Sequence, residues 1–350
     1  MTSIHTYGQV NAKVRTLRSF LLTDSIYRSL AAAQNQSEIL SILSQTKFHH
    51  FVNRIDQNDP FHIENELVIE EISRIKTIEK ECQGIVKEVI SLYLERYDFE
   101  KLKILLRIWH RKSEITPPII HQKIVYNFPS QAIIEAADLN DIANLLINTP
   151  FYKIIVDSVD YYNEKKTLFY IEIALDKDFY QRFWGLTQNL KKKDREISNR
   201  LLGIEIDLKN LLWMGRLRSY YNLTTADIKD ILLSNGYHFT ESTLISLYSE
   251  GKFGDLFADI FKSDTLKKLE VTDQTRLQTT EQDDLIKIEL MLDMLLLNEA
   301  RKAFGAFPFT IGAILGYFIL LRIETKNILT LLKSKDYEVS SSQVESFLTF

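Results

Sequence analysis

The chain has 350 residues, 45% of them hydrophobic, and a formal net charge of −4. That length suits two or three domains of about 100–150 residues, each able to bury a core, and the acidic balance leaves no electrostatic footprint for nucleic acid. A single cysteine, Cys82, excludes an internal disulfide and fits a reducing compartment.

The opening, MTSIHTYGQVNAKV, lacks the apolar core of a signal peptide. Eleven glycines and six prolines leave little turn punctuation and favour long helices. Ile63, Leu67, Ile72, Ile75 and Ile78 form the first apolar stripe, with Glu64, Glu70, Glu71 and Lys76 on the charged face. A short helix is predicted near Pro118–Tyr126, and Ser130 has the hydroxyl to cap the next one. Leu168, Ile171, Leu175, Phe179, Phe183, Leu186 and Leu190 make a second long stripe. A short helix follows over Thr225–Ser234. Asn235-Gly236 suits a helix C-terminus, and Thr240 suits an N-cap. Leu285, Ile288, Leu292, Leu295 and Leu296 give the third stripe. Phe304–Leu321 is free of charge over eighteen residues, but Pro308 and three glycines interrupt it. Only twelve residues remain from Thr310 to Leu321, against the ~20 a membrane span needs, so a buried core helix is predicted. Ser341–Leu348 is the last short helix. No alternating run predicts a strand, and the chain reads as all-α.

Three degenerate markers recur in one order. The first is an acid followed by Ile/Leu, an aliphatic four residues on and Thr/Ser after three more. It occurs at Glu38-Ile39 with Leu43 and Thr46, at Asp141-Ile142 with Leu146 and Thr149, and at Asp255-Leu256 with Ile260 and Ser263. The second, I-E-x-x-L, starts at Ile63, Ile171 and Ile288, and also at Ile204, outside the scheme. The third has an acid, Lys/Asn and Leu/Ile three and four positions later, and a base at the ninth. Its copies are Asp98, Lys101, Leu102, Arg107; Asp207, Asn210, Leu211, Arg216; and Glu324, Asn327, Ile328, Lys333. From second marker to third the gaps are 35, 36 and 36 residues. Solenoid repeats run ~20–50 residues, so these copies are domain-sized. They predict three related helical units, 1–126, 127–237 and 238–350, packed together without a flexible linker.

Phosphate-cradling loops of the G-x-x-x-x-G-K-[ST] and G-x-G-x-x-G types are absent. His49 and His50 are adjacent, so on a helix they point about 100° apart and do not make a metal-binding pair. No catalytic residue, metal or cofactor is expected. Lys191-Lys192-Lys193-Asp194-Arg195 is a solvated helix segment or a contact for anionic lipid or an acidic partner. Nine positions advance two and a half helical turns, so Asp98 and Arg107 do not pair directly. Either the third marker is a repeated packing unit, or Arg107, Arg216 and Lys333 aim a ring of positive charge at one partner.

The tripled marker, the opening YGQVNAKVRTLRSFLL and the ending PFTIGAILGYFILLRIETKNILTLLKS together resemble the C subunit of the V-type (V/A-type) rotary ATPases, the counterpart of the eukaryotic d subunit. Tyr7 and Asn11–Arg15 match the family's opening. Pro308, Phe309, Ile311, Gly312, Tyr317, Glu324, Asn327 and Ile328 match its ending. Lys101 departs, standing where the other copies have Asn. The resemblance implies three similar helical domains around a pseudo-threefold axis, shaped as a funnel. It implies a peripheral, non-catalytic rotor subunit at the cytoplasmic face of the membrane, one copy per complex. The open end would receive the central-stalk subunits, and the narrow end would sit on the membrane proteolipid ring. It implies no bound nucleotide and no cofactor. Two other readings stand beside it: a helical adaptor for an unrelated partner, and an enzyme whose site is assembled across units.

Overall fold

The computed structural model describes residues 3–55, 60–113, 122–221, 225–250, 281–337 and 339–349. Every regular element among them is a helix. The N-terminal part contains α1 (Ser3–Arg18), α2 (Asp24–Ala32), α3 (Gln36–Ser44) and α4 (His49–Val52), then the long pair α5 (Pro60–Glu79) and α6 (Gly84–Arg111). Next come α7 (Ser130–Glu135), α8 (Leu139–Leu145) and α9 (Phe151–Lys165), then the long pair α10 (Phe169–Thr187) and α11 (Lys192–Tyr221). The last part holds α12 (Thr225–Ile231), α13 (Glu241–Glu250), the long pair α14 (Glu281–Gly305) and α15 (Gly312–Asp336), and α16 (Ser341–Ser346).

The apolar stripes face inward. Ile63, Leu67, Ile72, Ile75 and Ile78 are buried on α5, as are Ile171, Leu175, Phe179 and Phe183 on α10 and Leu292, Leu295 and Leu296 on α14. The side chains of Leu285 and Ile288 lie outside the described ones. One core runs through α5, α6, α10, α11, α14 and α15. A second joins the two ends of the chain: Tyr27, Leu30, Leu40, Leu43 and Phe51 pack with Ile328, Leu331, Leu332, Val344 and Leu348.

The first marker is capping chemistry. Asn35 caps α3 by accepting from Glu38 N at 2.9 Å, and the Glu38 carboxylate accepts from Gln34 N at 2.7 Å. Asp138 caps α8 by accepting from Asp141 N at 3.0 Å, and the Asp141 carboxylate accepts from Ala137 N at 3.3 Å. The acid of the marker is thus the third helical residue reaching back across its own cap. The threonine closes the helix: Thr46 and Thr149 Oγ1 each donate at 2.7 Å, to Leu43 O and Leu146 O. The third copy of this marker, from Asp255 to Ser263, lies outside the described residues.

Several local expectations shift. Thr240 caps α13, accepting from Thr243 N at 3.2 Å. Ser130 instead opens α7 as a helical residue, with Pro129 in the cap position. Asn235 is left-handed, with φ 71°, but it lies in the loop beyond α12, which already ends at Ile231. The helix expected near Pro118–Tyr126 falls mostly outside the described residues, and residues 122–126 are non-helical. The charge-free stretch Phe304–Leu321 is not one helix. It spans the end of α14, a turn containing Pro308 and the first part of α15, because proline lacks the N–H that would carry a helix through. Phe304 and residues 311–321 are buried, while Phe307 in the turn is 49% exposed. Among the described residues no helix is long and apolar enough to cross a membrane.

Two close approaches need glycine. A Cβ on Gly316 would meet Ala300 O at 2.7 Å, where α15 crosses α14. A Cβ on Gly236 would meet Asp207 Oδ1 at 2.2 Å and Phe239 O at 2.7 Å. Gly236→Ala is therefore expected to destabilise by about 1–3 kcal/mol in urea unfolding. Gly185→Ala, on α10 with nothing within 4 Å of the added carbon, should be neutral or stabilise by up to about 1 kcal/mol. Equal effects of the two would remove the steric argument.

Candidate functional site

The acids of the third marker are buried in the middle of α6, α11 and α15, and each holds the backbone of a distant segment. Asp98 Oδ2 accepts from Val125 N and Tyr126 N at 2.9 and 3.1 Å. Asp207 Oδ2 accepts from Tyr237 N and His238 N at 3.1 and 2.7 Å. Glu324 takes its partners from the N-terminal part of the sequence. Its Oε1 accepts from Leu22 N at 2.7 Å, just before α2, and its Oε2 pairs with Lys47. Three positions on, Asn210 exchanges two hydrogen bonds with Leu233, and Asn327 exchanges two with Thr349. Lys101 makes the donor half alone, giving Nζ to Gln122 O at 2.8 Å. Burial pushes Asp98 up to about 6 and Asp207 up to about 7, with the backbone donors pulling the other way.

The six long helices α5, α6, α10, α11, α14 and α15 all contribute to a cavity of about 810 Å³. Its lining includes Val68, Phe99, Ile104, Phe179, Leu208, Leu212 and Leu329, set among seven carboxylates and six bases. One cluster in that lining joins three helices. Arg96 Nη2 donates to Glu205 Oε2 at 2.6 Å, and Arg322 Nη2 donates to Glu205 Oε1 at 2.9 Å. Arg96, Glu205 and Arg322 each stand two residues before an acid of the third marker. Arg96 and Glu205 are nearly buried, and Arg322 is partly open to the cavity. Burial disfavours the Arg96 charge, but Glu205 beside it wins and holds the guanidinium protonated. Nearby, Tyr97 Oη donates to Glu71. Burial pushes Glu71 up to about 7 against the pull of the Tyr97 and Thr325 hydroxyls.

The expected positive ring is placed as follows. Arg107 is half exposed and makes a two-pronged pair with Glu172, at 2.7 and 2.6 Å. Lys333 lines the cavity and pairs with Glu64 at 2.8 Å. The Arg216 side chain lies outside the described ones, though its backbone is in α11. Glu64 and Glu172 are the acids of the I-E-x-x-L marker, so these bases meet the second marker of another predicted unit. Among the described residues no group of three His, Cys, Asp or Glu side chains is arranged to hold a metal ion. Sequence reasoning missed the cluster at Glu205, although the stray I-E-x-x-L match at Ile204 contains it.

Comparison with known proteins fits this architecture. The family described as ATP synthase (C/AC39) subunit matches residues 10–347. The chain belongs to that family. Among its relatives is the A-type ATP synthase C subunit of Methanosphaera stadtmanae, 25% identical over 98% of this chain and 87% of the relative. The A-type ATP synthase C subunit of Methanocaldococcus jannaschii is 21% identical over 98% and 86%. That of Methanococcoides burtonii is 25% identical over 97% and 94%. Asp194 bridges the first helix and the turn before α15. Tyr7 Oη donates to Asp194 Oδ2 at 2.8 Å, and Ile311 N donates to Asp194 Oδ1 at 2.9 Å.

Two outcomes follow from this geometry. Glu205→Ala leaves two guanidinium groups facing each other, and roughly 3 kcal/mol of stability should be lost. Replacing all three residues with apolar ones should cost far less, and the comparison in urea unfolding separates the two. Asp207 supplies a pH test. Its folded value lies above the ordinary 3.8, so folding takes up a proton. The stability this contributes is full below about pH 4 and lost as pH rises through about 7. Asp207→Asn should therefore gain stability relative to wild type between pH 5 and pH 8. A constant difference would show that ionising Asp207 carries no penalty.

Proposed function

We propose that this chain is the non-catalytic rotor subunit of a V/A-type ATPase. It joins the central stalk to the membrane ring of ion-binding subunits and transmits torque for ATP-driven ion transport. Three units, 1–126, 127–237 and 238–350, stand around a common axis to form a funnel. The stalk base enters the cavity between the long helices. The narrow end rests on the ring at the cytoplasmic face. The observation that carries this reading is the cavity itself, built from three long helix pairs and with three matched residues bonded together in its lining. Family membership supports it, as do the proposed unit boundaries. These fall at the backbone that Asp98 and Asp207 hold.

The socket lining is almost charge-balanced and carries apolar side chains between the charges. A helical shaft would bury its apolar face there, and electrostatics would tune register more than affinity. Arg107, Arg216 and Lys333 are the proposed charged contacts. Since Arg107 and Lys333 already pair within the chain, a stalk carboxylate would share or displace Glu172 and Glu64.

Tagged protein recovered from solubilised membranes should bring down a stalk component and the ring. An unrelated partner in their place would favour the adaptor reading. Reversing one base to Glu should be nearly silent, because an exposed pair is worth ~0–1 kcal/mol. Reversing all three should weaken stalk binding at low salt, where screening is least, in protein whose circular dichroism is unchanged. Unaltered low-salt affinity would leave these bases as packing residues only.

A further inference from the structure

A basic and aromatic surface lies at the end of the molecule away from the cavity. On α11 the cavity lining begins at Glu205 and continues toward the C-terminus. Lys193 is twelve residues earlier, about 18 Å back along the helix. On α15 the lining begins at Arg322, and the helix start at Gly312 is about 15 Å back. The turn between α10 and α11 and the turn between α14 and α15 therefore share this end.

Lys191, Lys192 and Lys193 are all exposed. The Lys193 ammonium sits 4.5 Å from the ring centroid of Phe307, itself 49% exposed. Phe309 packs edge-on against Phe307. Arg18 and Arg15, both exposed, stand 4.5 and 5.5 Å from the ring of Phe304 in the same hairpin. The acid inside the lysine run does not neutralise it outwardly. Asp194 is buried and turned inward to Tyr7 and Ile311. Glu196 is the exposed acid of this segment. A chain of net charge −4 thus concentrates cations around one projecting aromatic ring.

We propose that this end binds an anionic membrane surface, with Lys191–Lys193 on lipid phosphates and Phe307 in the interfacial layer. Lysines near an anionic leaflet add attraction that falls off within a Debye length. An exposed aromatic ring gains by leaving water for the headgroup boundary. Together they make a reversible, salt-sensitive anchor. It is a property of the free chain, in which the ring proposed above does not cover this end, and it does not depend on the rotor reading.

The test is co-sedimentation of the full chain with vesicles of phosphatidylcholine, alone or mixed with phosphatidylglycerol. Wild type should bind the mixed vesicles at low salt and leave the neutral ones in suspension. The triple variant Lys191→Gln, Lys192→Gln, Lys193→Gln should partition on the order of 100-fold less, at roughly fivefold per lysine. The triple Lys→Arg variant should retain binding, and Phe307→Ser should weaken it without changing its salt dependence. Circular dichroism checks that each variant is folded. No binding of wild type to anionic vesicles would overturn the proposal and point to an acidic protein as the ligand of this surface. Equal binding by wild type and the triple Gln variant would overturn it as well.

Discussion

A carboxylate placed in the middle of a buried helix has lost its water and must find donors elsewhere. Asp98, Asp207 and Glu324 find them in backbone N–H groups of segments far along the chain. Asp98 and Asp207 thereby fasten their long inner helices to the start of the next run of short helices. The third fastening is the informative one. Glu324 reaches across to the first run and takes Leu22 N, 302 residues away in sequence. The second hydrophobic core, shared by α2–α5 and α15–α16, forms around that closure. The first and last parts of the chain are held by packing and hydrogen bonds where the other junctions also have a peptide link.

The helices and the recurrent acids were legible in the sequence because they repeat by likeness. Buried stripes keep a 3.6-residue period, and a buried acid or amide that holds a backbone segment tolerates few replacements. The chemistry behind the likeness was less visible. The acid of the first marker is a capping residue, which its distance from Asn35 and Asp138 encodes, but only once the cap is recognised. The residues at 96, 205 and 322 were invisible for a different reason. They occupy matched positions yet are Arg, Glu and Arg, so a search for similarity passes over them. Complementary residues leave no repeat. Lys101 shows the intermediate case, a substitution that keeps the donor of the asparagine and drops its acceptor.

The local misreadings have simple causes. Asn235-Gly236 has the composition of a helix end, but its job is to let the chain pass Asp207 closely, and composition does not distinguish the two. In the charge-free stretch from Phe304 the interruption at Pro308 is visible in the sequence and does separate two helices, but composition does not show which side chains the turn exposes. Phe307 then sits outside, in a segment whose other large apolar side chains are mostly covered.

Arg96, Glu205 and Arg322 also bear on how such an architecture comes to be one polypeptide. Three separate identical chains assembled head to tail would bring one residue type to their meeting point in triplicate. Three carboxylates or three guanidinium groups at that spacing repel strongly in a low-dielectric interior. A homotrimer is confined there to apolar or neutral side chains. Three positions within one polypeptide can differ, so Glu205 supplies the anion that Arg96 and Arg322 require. The cavity wall is therefore not threefold at this level: α11 presents an anion between cations from α6 and α15, so the three sides differ in charge where the fold alone would leave them alike.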